Sequence, residues 1–319
     1  MSEPKRMSIA NIPTPIQKVK FNDTQFLIKR DDFTGSLLSG NKIRKLEYIL
    51  ADVKKKKADY LFACGGDQSN HARATAIAAK QIGVKTELFL WGSDTKNADG
   101  NIFLDKLTGS DIKYLSKSEY DNVIPIMLKE SKRLQKREKR VYILPAGGST
   151  PLGIWGYINF MRELNDQMDL QKTKGILSAA GSGGTSAGML LGAAMLGLNL
   201  IIYGVNVVDD AETTRETIIE LVETCIEEYN LKVKVDYRNL VILDGYSTEG
   251  YKSIADNKLK LIKEFFQSSG ILLDPAYTGK AFYAYHENFL KGKKKSNIMF
   301  LHTGGIFGIF SKRRKYLGV

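Results

Sequence analysis

The chain has 319 residues, of which 43% are apolar and 26% charged, and its formal net charge is +12. This composition excludes a disordered or collagen-like chain, and the length exceeds what one hydrophobic core usually organises, so about two domains are expected. Two cysteines, Cys64 and Cys225, are too few for a disulfide framework or a zinc site, which points to a reducing compartment.

The N-terminal "MSEPKRMSIANIPTP" has no apolar stretch of signal-peptide type, so a cytoplasmic protein is expected. Next, "SGNKIRKLEYIL" at residues 39–50 reads as a loop entering a helix. At about 100° per residue, Ile43, Leu46, Ile49, Leu50 and Val53 share one stripe, and Lys42 falls within it. Lys45 lies at the stripe's edge, where a side chain snorkelling to solvent is expected, and Arg44 points away. A lysine at the head of a buried stripe costs desolvation free energy unless its amine is used.

From about residue 58, short β-rich runs alternate with helical patterns. The strand candidates are "DYLFACGG", "KTELFLW", "DIKYLS", "RVYILPAGG", "GILSAAGSGG", "NLIIYGVNVV", "NLVILDGY" and "NIMFLHTGG". Amphipathic segments such as "HARATAIAAKQIG" and "SIADNKLKLIKEFFQSSG" lie between them. The alternation predicts an α/β protein with two open, mostly parallel twisted sheets and flanking helices, breaking between sheets near Pro151. Several strands end in glycine: Gly65 and Gly66, Gly147 and Gly148, Gly181 to Gly184, Gly304 and Gly305. Ligands of parallel sheets bind outside the carboxyl ends of strands, so these turns are expected to converge on one site.

The apolar run at residues 188–205 is interrupted at "GLN", and reads as a buried helix entering a buried strand rather than a membrane span. The basic runs at 54–57, 132–140, 291–295 and 312–315 fall at helix ends or in loops without interleaved aromatics. They predict a solvated surface, not a specific nucleic-acid groove.

The loop "GSGGTSAG", residues 181–188, follows a strand and opens a helix, an arrangement suited to an anion. A dinucleotide fingerprint would need a third glycine where Ser186 stands, although Asp209 and Asp210 follow the next strand. A hydrolase elbow is the other reading, with Ser186, Asp274 and His302 in order, but Ser186 comes too late after its strand.

Six segments, "GNKIRKLE", "GGDQSNHARA", "PAGGSTPLG", "GSGGTSAG", "DPAYTGK" and "HTGG", together resemble the pyridoxal-phosphate enzymes of fold type II, specifically the D-cysteine desulfhydrase and 1-aminocyclopropane-1-carboxylate deaminase family. The resemblance covers nearly the whole chain. It implies a tryptophan synthase β-like fold, a large domain from residues 1–50 and 156–319, an inserted smaller domain at 51–155, and a homodimer. It also implies that Lys42 carries the covalent link to pyridoxal 5'-phosphate and serves as a base; no metal ligands are expected. By the same resemblance, Gly181, Ser182, Gly183, Gly184 and Thr185 form the phosphate cup, and Asn70 hydrogen-bonds the phenolic oxygen. Ser69 and the amides after it face the carboxylate of a small amino-acid substrate. Tyr277 packs at the ring and assists proton transfer, and Thr278 and Thr303 line the ring-nitrogen side. His71 and His302 are read as structural.

The ring-opening deaminases resemble each other in carrying "YEGK" and "HLGG" where this chain has Thr278 and Thr303, so the resemblance is nearer to the desulfhydrase. It implies β-elimination, D-cysteine giving pyruvate, hydrogen sulfide and ammonia. Deamination of 1-aminocyclopropane-1-carboxylate and an L-cysteate sulfo-lyase-like reaction are the alternatives.

Overall fold

The computed structural model describes residues 3–208 and 210–318. All eight expected strands are present, and two more, not among those expected, precede them as a hairpin: β1 (Ile16–Phe21) and β2 (Thr24–Arg30) pair antiparallel. Asn22 and Asp23 turn the chain with φ of 45° and 64°, values that favour Asn and Asp in a two-residue hairpin turn.

The strands divide into two sheets. β3 (Tyr60–Gly66), β4 (Lys85–Trp91), β5 (Asp111–Leu115) and β6 (Val141–Leu144) form a parallel sheet in the order β5-β4-β3-β6. β7 (Gly175–Ala180), β8 (Ile201–Asn206), β9 (Leu240–Leu243) and β10 (Ile298–His302) join the hairpin in the order β1-β2-β10-β7-β8-β9. Alternate residues of β10 enter opposite cores: Met299 and Leu301 pack with Ile158, Leu191 and Ile202, whereas Phe300 packs with Phe265 and Phe282. A strand buried on both faces explains why these runs are continuously apolar.

The helices follow in chain order. Around the smaller sheet run α1 (Lys42–Lys55), α2 (Asn70–Gln81), α3 (Asn101–Leu107), α4 (Lys117–Asp121) and α5 (Val123–Gln135). Beyond them come α6 (Trp155–Gln167), α7 (Gly184–Met195), α8 (Ala211–Glu228), α9 (Asp256–Ser269), α10 (Thr278–Tyr285), α11 (Ile306–Phe310) and α12 (Arg313–Leu317). The run at 188–205 is helix, then Gly197 at φ +65°, then strand, and no helix among the described residues is long and apolar enough to cross a membrane. Its glycines serve packing. A Cβ on Gly188 would lie 2.4 Å from the Ile154 carbonyl oxygen, and one on Gly192 would lie 2.9 Å from Met161.

Helix α1 departs from the expected one-sided burial. The predicted apolar stripe is buried, but so are Arg44, Lys45 and Glu47, because α1 lies between α2 and α6. Arg44, expected to point away, donates to Asp31 and Glu163 instead. Gly156 makes the approach of α6 possible, since a Cβ there would lie 2.4 Å from the Arg44 carbonyl oxygen. Asp209 lies outside the described residues, and Asp210 caps α8 by accepting from the Thr213 amide at 2.9 Å. The basic runs at 54–57 and 132–140 close α1 and α5.

Candidate active site

The carboxyl ends of β3 and β7 and the start of α1 face one cavity of about 510 Å³. Gly65, Gly66, Gly147, Gly181 to Gly184 and Gly304 line it, so most of the glycine turns converge as expected. Gly148 and Gly305 lie behind the wall, packed against His71 and Asp274.

Lys42 is the first residue of α1 and lines the cavity. Its amine has no hydrogen-bond partner among the described residues, and burial lowers its pKa from 10.5 to about 8. Burial without a counter-charge favours the neutral amine, which is the nucleophilic form. Lys45, one turn further, overturns the expectation that it snorkels outward: it is buried, and its Nζ donates to Ser149 Oγ at 3.0 Å and to the Gly147 carbonyl at 3.3 Å. Burial, and then the charge of Lys42, hold its pKa well below the ordinary lysine value.

Opposite these amines, the turn from β7 into α7 forms the glycine loop. Gly183 adopts φ +75°, and α7 starts at Gly184, so its first N–H groups have no intrahelical acceptor. Ser182 Oγ lies 2.8 Å from Ser149 Oγ, which also accepts from the Gly184 amide at 3.2 Å. Thr185 Oγ1 accepts from Asn41 Nδ2 at 2.9 Å. A Cβ on Gly184 would fall 2.5 Å from Ser149 Oγ and 2.7 Å from Lys45 Nζ, so only glycine leaves this cup open. The cavity-lining start of α7, the hydroxyls of Ser149, Ser182 and Thr185 and the Lys45 amine make a site suited to a phosphate.

Ser69 caps α2 by accepting from the Ala72 amide at 3.2 Å. Asn70 is therefore not the cap. It lines the cavity, and its Oδ1 accepts from Asn101 Nδ2 at 3.0 Å.

On the far wall, Tyr277 Oη donates to Tyr251 Oη at 2.8 Å. Burial, and then Tyr251, push Tyr277 well above the ordinary tyrosine value, and burial pushes Tyr251 up to about 12. Tyr251 comes from an irregular loop and carried no sequence signal. Thr303 lines the cavity. Thr278 differs from the expectation: it is not on the cavity wall, because Asp274 engages it, accepting from its amide at 2.8 Å and its hydroxyl at 2.6 Å. Asp274 itself lines the cavity and also accepts from the amides of Ala276 and Tyr277.

A hydrolase triad is not assembled. His302 Nε2 is 2.9 Å from the Leu272 carbonyl and its Nδ1 accepts from the Gly304 amide at 3.1 Å, so neither nitrogen serves Ser186. Ser186 is buried within the first turn of α7 and its hydroxyl has no partner among the described residues. His71 is buried on the cavity wall with Nε2 unpartnered among the described residues, and burial, then the charges of Lys42 and Lys45, hold its pKa well below the ordinary histidine value. Among the described residues no cluster could hold a metal ion.

The arrangement suits a phosphorylated aldehyde: an amine whose pKa burial lowers to about 8 to meet the carbonyl, a glycine cup for the anion, and orphaned polar atoms on the wall. Comparisons agree. The sequence pattern described as "Pyridoxal-phosphate dependent enzyme" matches residues 7–304. A Thermotoga maritima protein named "Putative 1-aminocyclopropane-1-carboxylate deaminase" is 39% identical, over 97% of this chain and 99% of its own. The Arabidopsis thaliana "Bifunctional D-cysteine desulfhydrase/1-aminocyclopropane-1-carboxylate deaminase, mitochondrial" is 35% identical, over 96% of this chain and 79% of its own. The crystal structure of an ACC deaminase homologue superposes with a TM-score of 0.90 at 34% identity, covering 99% of this chain and 96% of that one. The chain belongs to the pyridoxal-phosphate dependent enzymes.

Proposed function

We propose that this pyridoxal-phosphate lyase eliminates the β-substituent of a small amino acid, with D-cysteine and water giving pyruvate, ammonia and hydrogen sulfide. The observation that carries the choice is position 278. A threonine stands there, turned from the cavity by Asp274, whose carboxylate is occupied by the amides of Ala276, Tyr277 and Thr278 and by the Thr278 hydroxyl, and Thr303 places a hydroxyl on the cavity wall. A carboxylate would hold the ring nitrogen protonated and deepen the electron sink that opening a cyclopropane demands, whereas a thiolate departs readily.

Bound pyridoxal phosphate supplies the electron sink that acidifies the substrate's α-carbon. In this reading Gly181, Ser182, Gly183, Gly184, Thr185 and Lys45 hold the phosphate, and Asn70 meets the ring oxygen. The N-terminus of α2 with Ser69 orients the substrate carboxylate. Lys42 Nζ removes the α-proton: with a pKa of about 8, roughly a tenth of it is neutral at pH 7. Tyr277, held protonated by burial and Tyr251, is not available as a base near neutral pH, and we assign its hydroxyl the hydrogen bond that steadies the departing sulfur.

The test offers D-cysteine and 1-aminocyclopropane-1-carboxylate side by side. The proposal expects sulfide and pyruvate from the first at a rate at least about tenfold above 2-oxobutanoate from the second. Release of 2-oxobutanoate alone would make the chain a deaminase. A second expected result concerns the cup: Gly184→Ala weakens cofactor affinity at least about tenfold, measured by absorbance titration, because Ser149 and Lys45 must both shift.

We further propose a cytoplasmic homodimer in which residues 51–155 form the smaller domain. The two buried free thiols support a reducing location. Half-exposed Phe33, Leu37, Phe103 and Phe310 support self-association, which light scattering would measure.

A further inference from the structure

Asn101 opens α3, is fully buried, and has every polar atom of its side chain engaged. Its Nδ2 donates to the Gln68 carbonyl at 2.9 Å and to Asn70 Oδ1 at 3.0 Å, while its Oδ1 accepts from Arg73 Nε at 3.1 Å. The chemistry of the neighbours dictates this orientation. A peptide carbonyl only accepts and a guanidinium N–H only donates, so the Asn101 amide cannot be turned over. Arg73 is anchored in turn, donating from Nη2 to the Ser39 carbonyl at 3.0 Å and from Nη1 to the Leu37 carbonyl.

The consequence reaches Asn70. Because Asn101 offers it a donor, Asn70 must present Oδ1 to Asn101, which leaves its own NH₂ for the cavity. We propose that Asn101, held by Arg73, is a positioning residue that locks the Asn70 amide so that the site offers a hydrogen-bond donor to the cofactor's ring oxygen. This rests on the reading of Asn70 given above. A donor there stabilises negative charge on the ring oxygen, which is greatest once the neighbouring lysine-bound nitrogen has lost its proton. The donor therefore lowers the pH at which that proton leaves.

The experiment is a pH titration of the visible absorbance of the holoenzyme, preceded by borohydride reduction to establish that the cofactor is attached at Lys42. Asn101→Asp is nearly isosteric but has no NH₂, so Asn70 turns its own NH₂ inward and its carbonyl outward. The absorbance transition is expected to move up by about one pH unit. Asn70→Ala is expected to move it in the same direction. Adding Asn101→Ala, which removes the donor without bringing in a charge, to Asn70→Ala should then shift it no further, since Asn101 acts only through Asn70. If Asn101→Asp does not fold, Asn101→Ala is read by the same cycle. An unshifted transition, or an Asn101 effect that persists undiminished without Asn70, overturns the proposal. No attachment at Lys42 in the unaltered enzyme would instead sink the reading of the site on which it rests.

Discussion

Replacing Lys42 with alanine is expected to lower turnover by about 10⁴-fold or more while leaving cofactor binding measurable. The two effects separate because they come from different elements. In the proposed reading phosphate capture belongs to the turn between β7 and α7 with Lys45 and Ser149, none of which the substitution touches. In that reading the nucleophile and base are one nitrogen, Lys42 Nζ, while burial and Tyr251 push the pKa of Tyr277, the other candidate base, well above the ordinary tyrosine value. Burial takes the amine from 10.5 to about 8. At pH 7 the neutral fraction then rises from roughly 0.03% to roughly a tenth. The pH dependence follows in sign: the pKa is lowered, so the reactive neutral form grows as pH rises through about 8 and levels off above it. The rate at which apoprotein forms the covalent link should follow that curve. Lys42→Arg keeps a cation and removes the nucleophile, so it should fail like alanine. Turnover by Lys42→Ala within tenfold of the unaltered enzyme would remove Lys42 from both roles.

Periodicity made Lys42 legible because the helical stripe needs only local information: an amine among Ile43, Leu46 and Ile49 is anomalous whatever packs against it. The same reasoning misplaced Lys45 and Arg44. What buries them arrives from far along the chain, Ser149 for the one, Asp31 and Glu163 for the other. Eight strands were legible as bounded apolar runs. The hairpin of β1 and β2 carries lysines on its exposed positions and was overlooked, although the Asn-Asp turn was a usable signal. Thr278 lay inside a recognisable segment, yet its side chain is turned from the cavity by Asp274, a geometry no motif expresses. Tyr251 sits in an irregular loop whose backbone is held by Lys280, through the Gly250 carbonyl at 2.8 Å. Only the folded chain brings it against Tyr277.

Replacing Arg44 with leucine is expected to cost about 3–5 kcal/mol of folding free energy, read as a lowered midpoint in equilibrium urea denaturation. Arg44 ties two carboxylates at the base of α1. It donates to both oxygens of Asp31 at 2.8 Å and to Glu163 at 2.7 and 3.0 Å. Without it Asp31, fully buried, keeps only the hydroxyls of Thr14 and Tyr157, and Glu163 keeps Lys29 and the Thr14 amide. Neither set replaces the lost cation, and an uncompensated buried charge is what makes breaking such a network expensive. The acid limb checks the cause. Burial raises the pKa of Glu163, but Arg44 and Lys29 outweigh it and hold the carboxyl below 4.5. A lowered carboxyl pKa contributes stability above the unfolded value and loses it as pH falls through the folded one. The unaltered protein should lose that contribution below about pH 4.5, whereas Arg44→Leu has little left to lose, so the gap narrows in acid. Neutralising the carboxylates with Asp31→Asn and Glu163→Gln in the Arg44→Leu background should recover part of the loss at pH 7. A gap that neither acid nor neutralisation reduces would mean that Arg44 acts through its packing on Phe160, 5.1 Å from the ring centre, and not through its charge.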